Sequence, residues 1–349
     1  ETDIILGVTA GIAAYKTASL VRLLVKCDAE VRVVMTPAAK EFITPLTLST
    51  LSNYPVISDF NDKENENNLW NNHVELGLWA DLFIIAPVTA NTLSKMVNGT
   101  SDNFLVATYL SAKCPVYFAP AMDLDMYNHP TTQNALDALQ SYGNILIPSA
   151  YGSLASGLVG MGRMAEPQQI VEVVENNILE GLPLYGKKIL ITAGPTYEAI
   201  DPVRFIGNHS SGLMGIELAN SAANKGAEVI LVIGPTNYKS DFNRVTTEAV
   251  FTAKEMYDKV HHYFDSVDSA ILSAAVADYR PKNPVDSKIK KSSKSLSIDL
   301  EKTEDILASL GALKQQQFLI GFALETDNEV ENAINCLLYT SDAADDFTS

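Results

Sequence analysis

The sequence is poor in cysteine and in positive charge, and each shortage excludes a class of protein. Its three cysteines, Cys27, Cys114 and Cys336, have neither the spacing of a metal site nor the even number of a disulfide framework. Lysine and arginine number 25 against 42 acidic residues, and the net charge of −17 argues against binding to a nucleic-acid backbone. A reducing compartment is the simplest expectation.

Long apolar runs and a dinucleotide-binding glycine motif are missing too. No apolar stretch approaches the about 20 residues that a membrane-spanning helix needs, and the first residues have the pattern of a strand instead of a charged leader. The glycines do not form GxGxxG, so a nicotinamide cofactor is not supported. A chain of 349 residues with 47% hydrophobic content can form two globular domains, and we expect a cytoplasmic enzyme that concentrates positive charge where anionic substrates bind.

What the sequence does contain is a regular alternation of short apolar strands and helical stretches. This rhythm predicts two Rossmann-like, doubly wound α/β domains, each with a parallel sheet covered on both faces and ligands at the carboxyl ends of the strands. Gly181, Pro183 and Gly186 follow one another closely, as is typical of a loop between domains. The junction is therefore predicted near Pro183, which gives domains 1–182 and 183–335. The predicted strands are 3–8, 30–35, 82–86, 116–119, 145–148, 188–192, 228–233, 270–274 and 318–322.

The stretch from Ile191 to Gly215 is the most informative part of the chain. It starts as a strand, turns through Gly194 and Pro195, and collects polar residues and glycines before a helical run at 216–224. Unpaired backbone N–H groups and the helix dipole favour an anion at such a place, which predicts phosphate recognition. Serine and asparagine also cap helices routinely, so an ordinary capped helix is the alternative.

The segments TAGPT and DPVRFIGNHSSGLMG resemble the signature of phosphopantothenate–cysteine ligases, and the likeness continues through AAVADY, KIKK and the loops near Thr303 and Gly321. The resemblance implies that CTP activates 4′-phosphopantothenate for attack by cysteine, with Asn208 and Arg204 as catalytic residues and His209 as either a base or a spacer. It implies Mg2+ beside CTP, with Asp278 as a candidate ligand, although a KIKK cluster can also be a solvated basic loop. The CTP-binding residues implied are Leu272, Ser273, Ala274, Asp278, Lys288, Thr303, Glu304, Asp305, Ile306 and Phe322.

The opening GVTAGIAAYK resembles that of the FMN-binding, homo-oligomeric cysteine decarboxylases, and further polar groups follow predicted strands where that family holds its flavin. These groups supply hydroxyls, amides and backbone N–H groups to a phosphate and a flavin edge. Asp102 and Asn103 could instead cap a helix. The FMN-binding residues implied are Gly7, Thr9, Gly11, Ile12, Thr36, Pro87, Thr89, Asn91, Thr92, Asp102 and Asn103.

His73, in an HxEL context, coincides with the catalytic histidine of that family and can exchange a proton near neutral pH. The family's substrate motif and flap are also recognisable, and they imply Asp123, Met126 and Arg163 as substrate contacts. Two residues depart from the family pattern. Asp123 replaces an asparagine expected to bind the substrate carboxylate, which an ionised aspartate would repel. Ser156 replaces the cysteine that donates the last proton, and a hydroxyl is far less acidic than a thiol of pKa about 8.5.

We interpret the two departures as a matched pair in a working site. The resemblance then implies an enzyme of coenzyme A synthesis that ligates 4′-phosphopantothenate with cysteine and decarboxylates 4′-phosphopantothenoylcysteine to 4′-phosphopantetheine. It also implies a homo-oligomer, with trimer contacts through the first domain and dimer contacts through the second. The alternatives are a non-catalytic FMN-binding regulatory protein and a ligase without decarboxylase activity. An FMN-dependent prenyltransferase or peptide cysteine decarboxylase is disfavoured by the fusion to a ligase.

The C-terminal residues do not continue the family pattern. CLLYTSDAAD resembles a translated sequencing adapter, so 336–349 is expected to be a non-native tail. We therefore expect an incomplete ligase domain that lacks the loop closing over CTP.

Overall fold

The computed structural model describes residues 2–61, 70–290 and 296–322. The chain divides into two compact units, Glu1–Asn177 and Ile178–Ser349. The predicted junction, Pro183, lies shortly after the boundary between these units in the sequence. The domain boundary itself stays a prediction. The predicted tail at 336–349 lies outside the described residues. So do Lys291, the last residue of KIKK, and the part of the Gly321 loop that follows Phe322.

The first unit contains a parallel five-stranded sheet in the order β2-β1-β3-β4-β5. This order reverses between β1 and β3, which is where doubly wound sheets hold their ligands. An antiparallel hairpin, β6–β7, follows the sheet. The strands are Thr2–Val8 (β1), Ala29–Met35 (β2), Leu82–Val88 (β3), Val116–Pro120 (β4), Ile145–Leu146 (β5), Ala150–Ser153 (β6) and Val159–Arg163 (β7).

Helices cover both faces of this sheet because its strands are apolar on both sides. One core cluster joins Leu6 and Val33 to helix residues such as Leu20, and the other joins Phe83 to Phe104 on the opposite face. Two 3-10 helices, Ile12–Lys16 and Pro37–Glu41, follow β1 and β2. The α-helices are Thr17–Lys26 (α1), Pro45–Ser52 (α2), His73–Trp79 (α3), Ala90–Asn98 (α4), Phe104–Ser111 (α5), Leu124–Asn128 (α6), Pro130–Ser141 (α7) and Pro167–Glu180 (α8).

The second unit repeats the plan with a different strand order. Its five parallel strands lie in the order β12-β11-β8-β13-β16, which reverses between β8 and β13. Two short antiparallel pairs, β9–β10 and β14–β15, lie outside the sheet. The strands are Lys188–Ala193 (β8), Tyr197–Ala199 (β9), Phe205–Gly207 (β10), Glu228–Ile233 (β11), Val245–Ala249 (β12), Ser269–Leu272 (β13), Tyr279–Pro281 (β14), Leu300–Lys302 (β15) and Phe318–Gly321 (β16).

Helix α9 packs on one face of the second sheet, and α10 and α11 pack on the other. Alanines at 219, 222 and 223 let α9 approach closely, whereas Met256 and Phe264 fill the opposite side. Thr252 and Glu255 form a capping box that fixes the start of α10. The helices are Leu213–Asn224 (α9), Ala253–Phe264 (α10) and Ile306–Leu313 (α11).

The predicted fold class is confirmed for both units, since each is a parallel sheet covered by helices. The predicted strands all appear, with ends that differ by a few residues. The segment after β1 begins as a 3-10 helix at Ile12 and becomes α-helical only at Thr17. Over the described ranges, no helix is both long and apolar enough to cross a membrane.

Candidate active sites

A cavity of about 570 Å³ opens at the carboxyl edge of the first sheet. Its walls come from the loop after β1, the start of α4, the segment after β4, and the β6–β7 hairpin. The topological reversal between β1 and β3 therefore coincides with the cavity, as the fold predicts. The predicted site residues that line it are Gly11, Ile12, Thr89, Asn91, Asp123, Met126, Ser156 and Arg163.

Threonines hold the wall of this cavity beside the start of α4 in place. The Thr9 hydroxyl donates to the Pro87 carbonyl at 2.8 Å and accepts from the Thr89 N–H at 3.1 Å, so it ties the ends of β1 and β3 together. The Thr89 hydroxyl then caps α4 by accepting from the Thr92 N–H at 3.4 Å. Thr9, Pro87 and Thr92 therefore support the wall from behind, while the first turn of α4 faces the cavity with the polarity that favours an anion.

The loop after β1 needs glycine at position 11. Gly11 has a φ of 139°, which side-chain-bearing residues rarely adopt, and it leads directly into the 3-10 helix that lines the cavity. Gly7 does not line the cavity. It lies buried inside β1, where a Cβ would be 3.0 Å from the Phe83 ring, so the residue provides packing space. Its contact with FMN stays a prediction.

The two departures from the decarboxylase motif contact each other. The Ser156 hydroxyl, at the tip of the β6–β7 hairpin, donates to Asp123 Oδ1 at 2.9 Å. The same oxygen caps α6 by accepting from the Leu124 N–H at 2.7 Å. At the base of the hairpin, the Met122 N–H donates to the Gly162 carbonyl at 3.0 Å, and a Cβ on Gly162 would overlap the Met122 carbonyl. Asp123 and Ser156 thus fasten the hairpin across the cavity.

Lys16 is a cavity residue that the sequence reasoning did not single out. Its side chain is only 6% exposed, and Nζ donates to the Met164 carbonyl and to Glu166 Oε1, both at 2.9 Å. Glu166 also pairs with Arg163 at 2.7 Å. The hydrogen bond from Lys16 is the main reason that the pKa of Glu166 lies below its usual value, and burial only partly opposes it. In the sequence, the feature that could have indicated this role is the single lysine that directly follows the mainly apolar run GIAAY.

His73 does not line this cavity within one chain. It begins α3, which the Asn72 side chain caps, and its ring meets the rings of Phe60 and Phe104 edge-on at 5.8 and 6.3 Å. Within the part of the chain that the structure describes, its buried Nδ1 has no hydrogen-bond partner, and the same holds for the hydroxyl of Thr36 just after β2. Buried polar atoms are almost always paired, so these two are positions that a bound molecule could satisfy.

Asp102 and Asn103 are explained partly by helix capping. The Asn103 side chain accepts from the Val106 N–H at 3.1 Å and so caps α5, as the alternative interpretation held. Asp102 pairs with Lys95 at 2.6 Å, and this hydrogen bond is the main cause that lowers the pKa of Asp102. Neither residue lines the cavity, and their contact with a flavin stays a prediction.

In the second unit, the motifs meet at the carboxyl ends of β8 and β13. The Asn208 amide donates to the Val276 carbonyl at 2.8 Å, which brings the loop after β10 onto the segment after β13. The Thr303 hydroxyl donates to the Ala277 carbonyl at 2.7 Å, and its N–H donates to the Asp278 carbonyl at 3.0 Å. Asn208, Asp278 and Thr303 are thereby gathered, although they are far apart in the sequence.

Glycines make this convergence possible. Gly194 and Gly212 both have a φ of 76°, and a Cβ on Gly212 would lie 3.2 Å from the Gly194 Cα. Gly215 lies against β8 and Ser273, where a Cβ would lie 2.7 Å from the Ser273 hydroxyl. The Ser273 hydroxyl donates to the Thr192 carbonyl at 2.6 Å, and the Ala274 N–H donates to the Thr192 hydroxyl at 3.1 Å. The loops therefore approach one another with little space between them.

Arg204 is engaged within the protein. Its guanidinium donates to Asp201 Oδ2 at 2.6 Å and reaches the Ile289 carbonyl at 3.4 Å, and its catalytic role stays a prediction. Lys288 is exposed next to this contact. The N-cap residue of α9 is Gly212, which offers no side-chain cap, and just before it the Ser211 hydroxyl accepts from the Leu213 N–H at 3.3 Å.

Several predicted CTP contacts have structural duties. The Ile306 side chain is 6% exposed and belongs to the core under α10, so only its backbone could reach a nucleotide. Asp305 caps α11 by accepting from the Ala308 N–H at 2.9 Å. Leu272 packs against the same core, whereas Phe322 is 52% exposed. Glu304 lies 4.0 Å from the Arg280 guanidinium.

Comparison with known proteins accounts for both units. The flavoprotein family model matches residues 1–179, and the model of the DNA/pantothenate metabolism flavoprotein C-terminal domain matches residues 184–340. Fold and site thus define a two-domain flavoprotein. The chain is 42% identical over 328 residues to the coenzyme A biosynthesis bifunctional protein CoaBC of Bacillus subtilis strain 168, covering 93% of this chain and 80% of that one. It belongs to the family of these bifunctional proteins.

Two further relatives carry decarboxylase names. A cysteine/cysteine sulfinic acid decarboxylase from an unknown prokaryotic organism is 52% identical over 297 residues, which cover 83% of this chain and 82% of the relative. A solved structure of a PPC decarboxylase mutant, complexed with pantothenoylaminoethenethiol, is 34% identical with a TM-score of 0.46. The match covers 51% of this chain and 98% of the chain in that structure.

Proposed function

We propose that this chain carries both reactions of its family, FMN-dependent decarboxylation of 4′-phosphopantothenoylcysteine in the first unit and CTP-dependent ligation of 4′-phosphopantothenate with cysteine in the second. Relatives named for coenzyme A biosynthesis align with more than nine tenths of the chain, so both units are included in the likeness. The single observation that carries the proposal is the cavity, which combines the glycine loop, the start of α4, the substrate motif and the hairpin tip.

The first unit suits FMN on structural grounds. The cavity of about 570 Å³ falls within the range of about 300–1,000 Å³ that is usual for small-molecule sites. The start of α4 would hold the phosphate, and the Thr36 hydroxyl is a buried group without a partner. FMN, when bound, would take electrons from the substrate and later return them. The residues of the chain bind and orient the substrate, exclude water beneath the hairpin, and exchange protons at His73.

The second unit suits a nucleoside triphosphate because it brings an amide, a carboxylate and exposed lysines together. Asn208 is oriented by Val276 next to the segment that ends in Asp278, and exposed lysines follow at 288 and 290. Asn208 would stabilise the acyl-cytidylate, and the lysines would bind the phosphates of CTP. Mg2+ would neutralise those phosphates, with the exposed carboxylate of Asp278 as the candidate protein ligand.

The experiment for the proposed function uses the purified chain supplied with FMN, CTP and Mg2+. We expect CMP release that depends on both 4′-phosphopantothenate and cysteine, and separately CO2 and 4′-phosphopantetheine from 4′-phosphopantothenoylcysteine. Binding of FMN without CO2 release would remove the decarboxylase assignment and favour an FMN-binding regulatory role. CO2 release with an oxidised enethiol product would show that Ser156 does not support the final reduction.

A second candidate substrate is free cysteine, or its sulfinate, as in the name of the relative that is 52% identical. Asp123 favours it. One oxygen of Asp123 bonds Ser156 and Leu124, whereas no described residue donates to the other. A carboxylate in the cavity would pair with the α-ammonium of a free amino acid, but the cysteine nitrogen of 4′-phosphopantothenoylcysteine is an uncharged amide. Lys16 and Arg163 provide cations in the same cavity for the substrate carboxylate.

The Asp123→Asn variant separates these candidates. If Asp123 binds an ammonium, kcat/KM for free cysteine should fall about 10- to 100-fold, because a hydrogen bond between charged groups is lost, while 4′-phosphopantothenoylcysteine turnover should hold or rise. Initial rates of CO2 release with each substrate measure the ratio. The matched control is Asp125→Asn, because Asp125 is an exposed aspartate in the first turn of α6, two residues after Asp123. A fall with 4′-phosphopantothenoylcysteine alone would contradict an ammonium role.

We further propose that the first unit works as a homo-oligomer whose subunits share the site. His73 lies outside the cavity of its own chain, so it must reach a bound substrate by another route. Exposed apolar side chains surround both features, namely Ile12 and Tyr15 at the cavity and Val74 and Leu78 on the helix of His73. Such side chains typically mark a protein interface.

A further inference from the structure

Asp201 is the most completely buried carboxylate of the second unit's loops, and its two oxygens have separate duties. The residue is 3% exposed. Oδ1 accepts from the Val203 and Arg204 N–H groups at 2.8 and 2.9 Å, which closes the local turn. Oδ2 accepts from the Ile289 N–H at 3.1 Å and from the Arg204 guanidinium at 2.6 Å. One oxygen therefore shapes its own loop, and the other holds a segment far along the chain.

That segment is the lysine loop, Val285 to Lys290. Beyond the contact with Asp201, its Val285 N–H donates to the Ile200 carbonyl at 3.1 Å, and its Ile289 carbonyl accepts from Arg204 at 3.4 Å. Ile289 is thus held through both its N–H and its carbonyl. Lys288 and Lys290, on either side of it, stay exposed.

The buried charge is stable because it is fully paired. Burial alone would raise the pKa of Asp201, but the N–H groups of Ile289, Val203 and Arg204, together with the Arg204 guanidinium, outweigh it and lower that pKa. The carboxylate is therefore ionised at neutral pH. When the lysine loop leaves, Oδ2 loses the Ile289 N–H and keeps the Arg204 guanidinium, so every such state gives up one hydrogen bond to a buried charge.

We propose that Asp201 is a positioning residue of the ligase, which sets Lys288 and Lys290 for the phosphates of CTP by docking Ile289. In this arrangement Arg204 helps to hold the loop, because its guanidinium contacts both Asp201 and the Ile289 carbonyl. The inference rests on the proposed ligase function and names its nucleotide-binding device. A strongly acidic chain has a physical need for such a device, because lysines held in one place bind a polyanion better than lysines that must first be ordered.

Asp201→Asn tests this with little other change. The amide oxygen can still accept the turn N–H groups, whereas the amide nitrogen cannot accept from Ile289 or from Arg204. We expect the KM for CTP to rise about 10-fold or more, with the KM for cysteine unchanged, because one charge-assisted contact to the loop is lost. The matched control is Asp258→Asn, which breaks an exposed pair with Lys254 in the same unit.

A cycle in the background of the double variant Lys288→Ala, Lys290→Ala shows whether Asp201 acts through the two lysines. In that case adding Asp201→Asn leaves the KM for CTP of the double variant unchanged. A further rise of the KM for CTP in that background, or an unchanged KM for CTP in Asp201→Asn itself, would overturn the proposal. Ile289→Pro removes the same N–H donor from the other side, and it replaces Asp201→Asn if that variant fails to fold.

Limited trypsin digestion provides a readout that needs no activity. The bond after Lys288 should be cut faster in Asp201→Asn than in the wild type or in Asp258→Asn, at equal melting temperature. Equal cutting rates would refute the docking of the loop. A wild-type chain that releases no CMP would refute the proposed ligase function but leave this digestion result standing, so the two failures are distinguishable.

Discussion

Replacing His73 by asparagine should lower the rate of CO2 release from 4′-phosphopantothenoylcysteine about 100- to 10,000-fold, the usual effect of removing a general acid or base. His73 is the imidazole whose Nδ1 is buried and unpaired, between the rings of Phe60 and Phe104. Because it lies outside the cavity lining, FMN absorbance and stoichiometry should be unchanged. CTP-dependent CMP release should also persist, and it serves as an internal control.

The matched control is His129→Asn in the same unit. His129 caps α7 through its ring nitrogen, and asparagine can also cap a helix, so this variant should keep full activity. If His73→Asn decarboxylates at the wild-type rate, the histidine is structural and the assignment taken from the family likeness fails.

Mixing variants tests whether subunits share the site. His73→Asn chains can be combined with Asn91→Trp chains, whose own cavities are filled by the indole. If His73 serves the cavity of a neighbouring subunit, mixed oligomers regain decarboxylase activity that neither variant shows alone. No recovery after subunit exchange, verified by mass spectrometry of the mixed assembly, would mean that His73 serves its own chain.

Replacing Asn208 by alanine should lower the ligase rate about 100- to 1,000-fold, as expected when one oriented donor to a developing charge is removed. The Asn208 amide is fixed by its bond to the Val276 carbonyl at 2.8 Å, so its remaining amide groups face the joined motifs with little reorganisation. CMP release with 4′-phosphopantothenate and cysteine measures the effect. Decarboxylation in the first unit should not change.

Asn243→Ala is the matched control for Asn208. Asn243 is exposed and lies with Lys188 and Glu228 at the opposite, amino edge of the second sheet, so the same truncation there should leave the ligase rate intact. Should Asn208→Ala raise only the KM for CTP with kcat preserved, the residue would be a binding group, and its role with the acyl-cytidylate would be refuted.

The two units show why one architecture serves both reactions. In each, the strand order reverses next to the first strand of the sheet, and glycines and hydroxyls collect at the carboxyl edge there. The units differ in what covers this edge. A hairpin fastened by Ser156 and Asp123 crosses the first, and loops held by Asp201 and Asn208 converge on the second.

The sequence by itself determined the fold class and the strands of both sheets. Strands such as Leu82–Val88, and residues 229–233 of β11, are apolar throughout, and a run of that kind predicts a buried parallel strand without knowledge of its neighbours. The glycines at 11 and 194 were visible in the same way, since left-handed turns require them. Local patterns of this kind depend on residues close together in the chain.

Only the tertiary structure decided which side chains are partners. Lys16 pairs with Glu166, Ser156 with Asp123, and Asp201 with Ile289, across separations of 150, 33 and 88 residues. It also showed that Arg204 contacts Asp201 and the lysine loop, that the Ile306 side chain lies in the core, and that His73 does not line the cavity described in its own chain. The physical reason is that a hydrogen bond of a polar side chain depends on atoms brought within about 3 Å by packing, which no periodicity of a single sequence encodes.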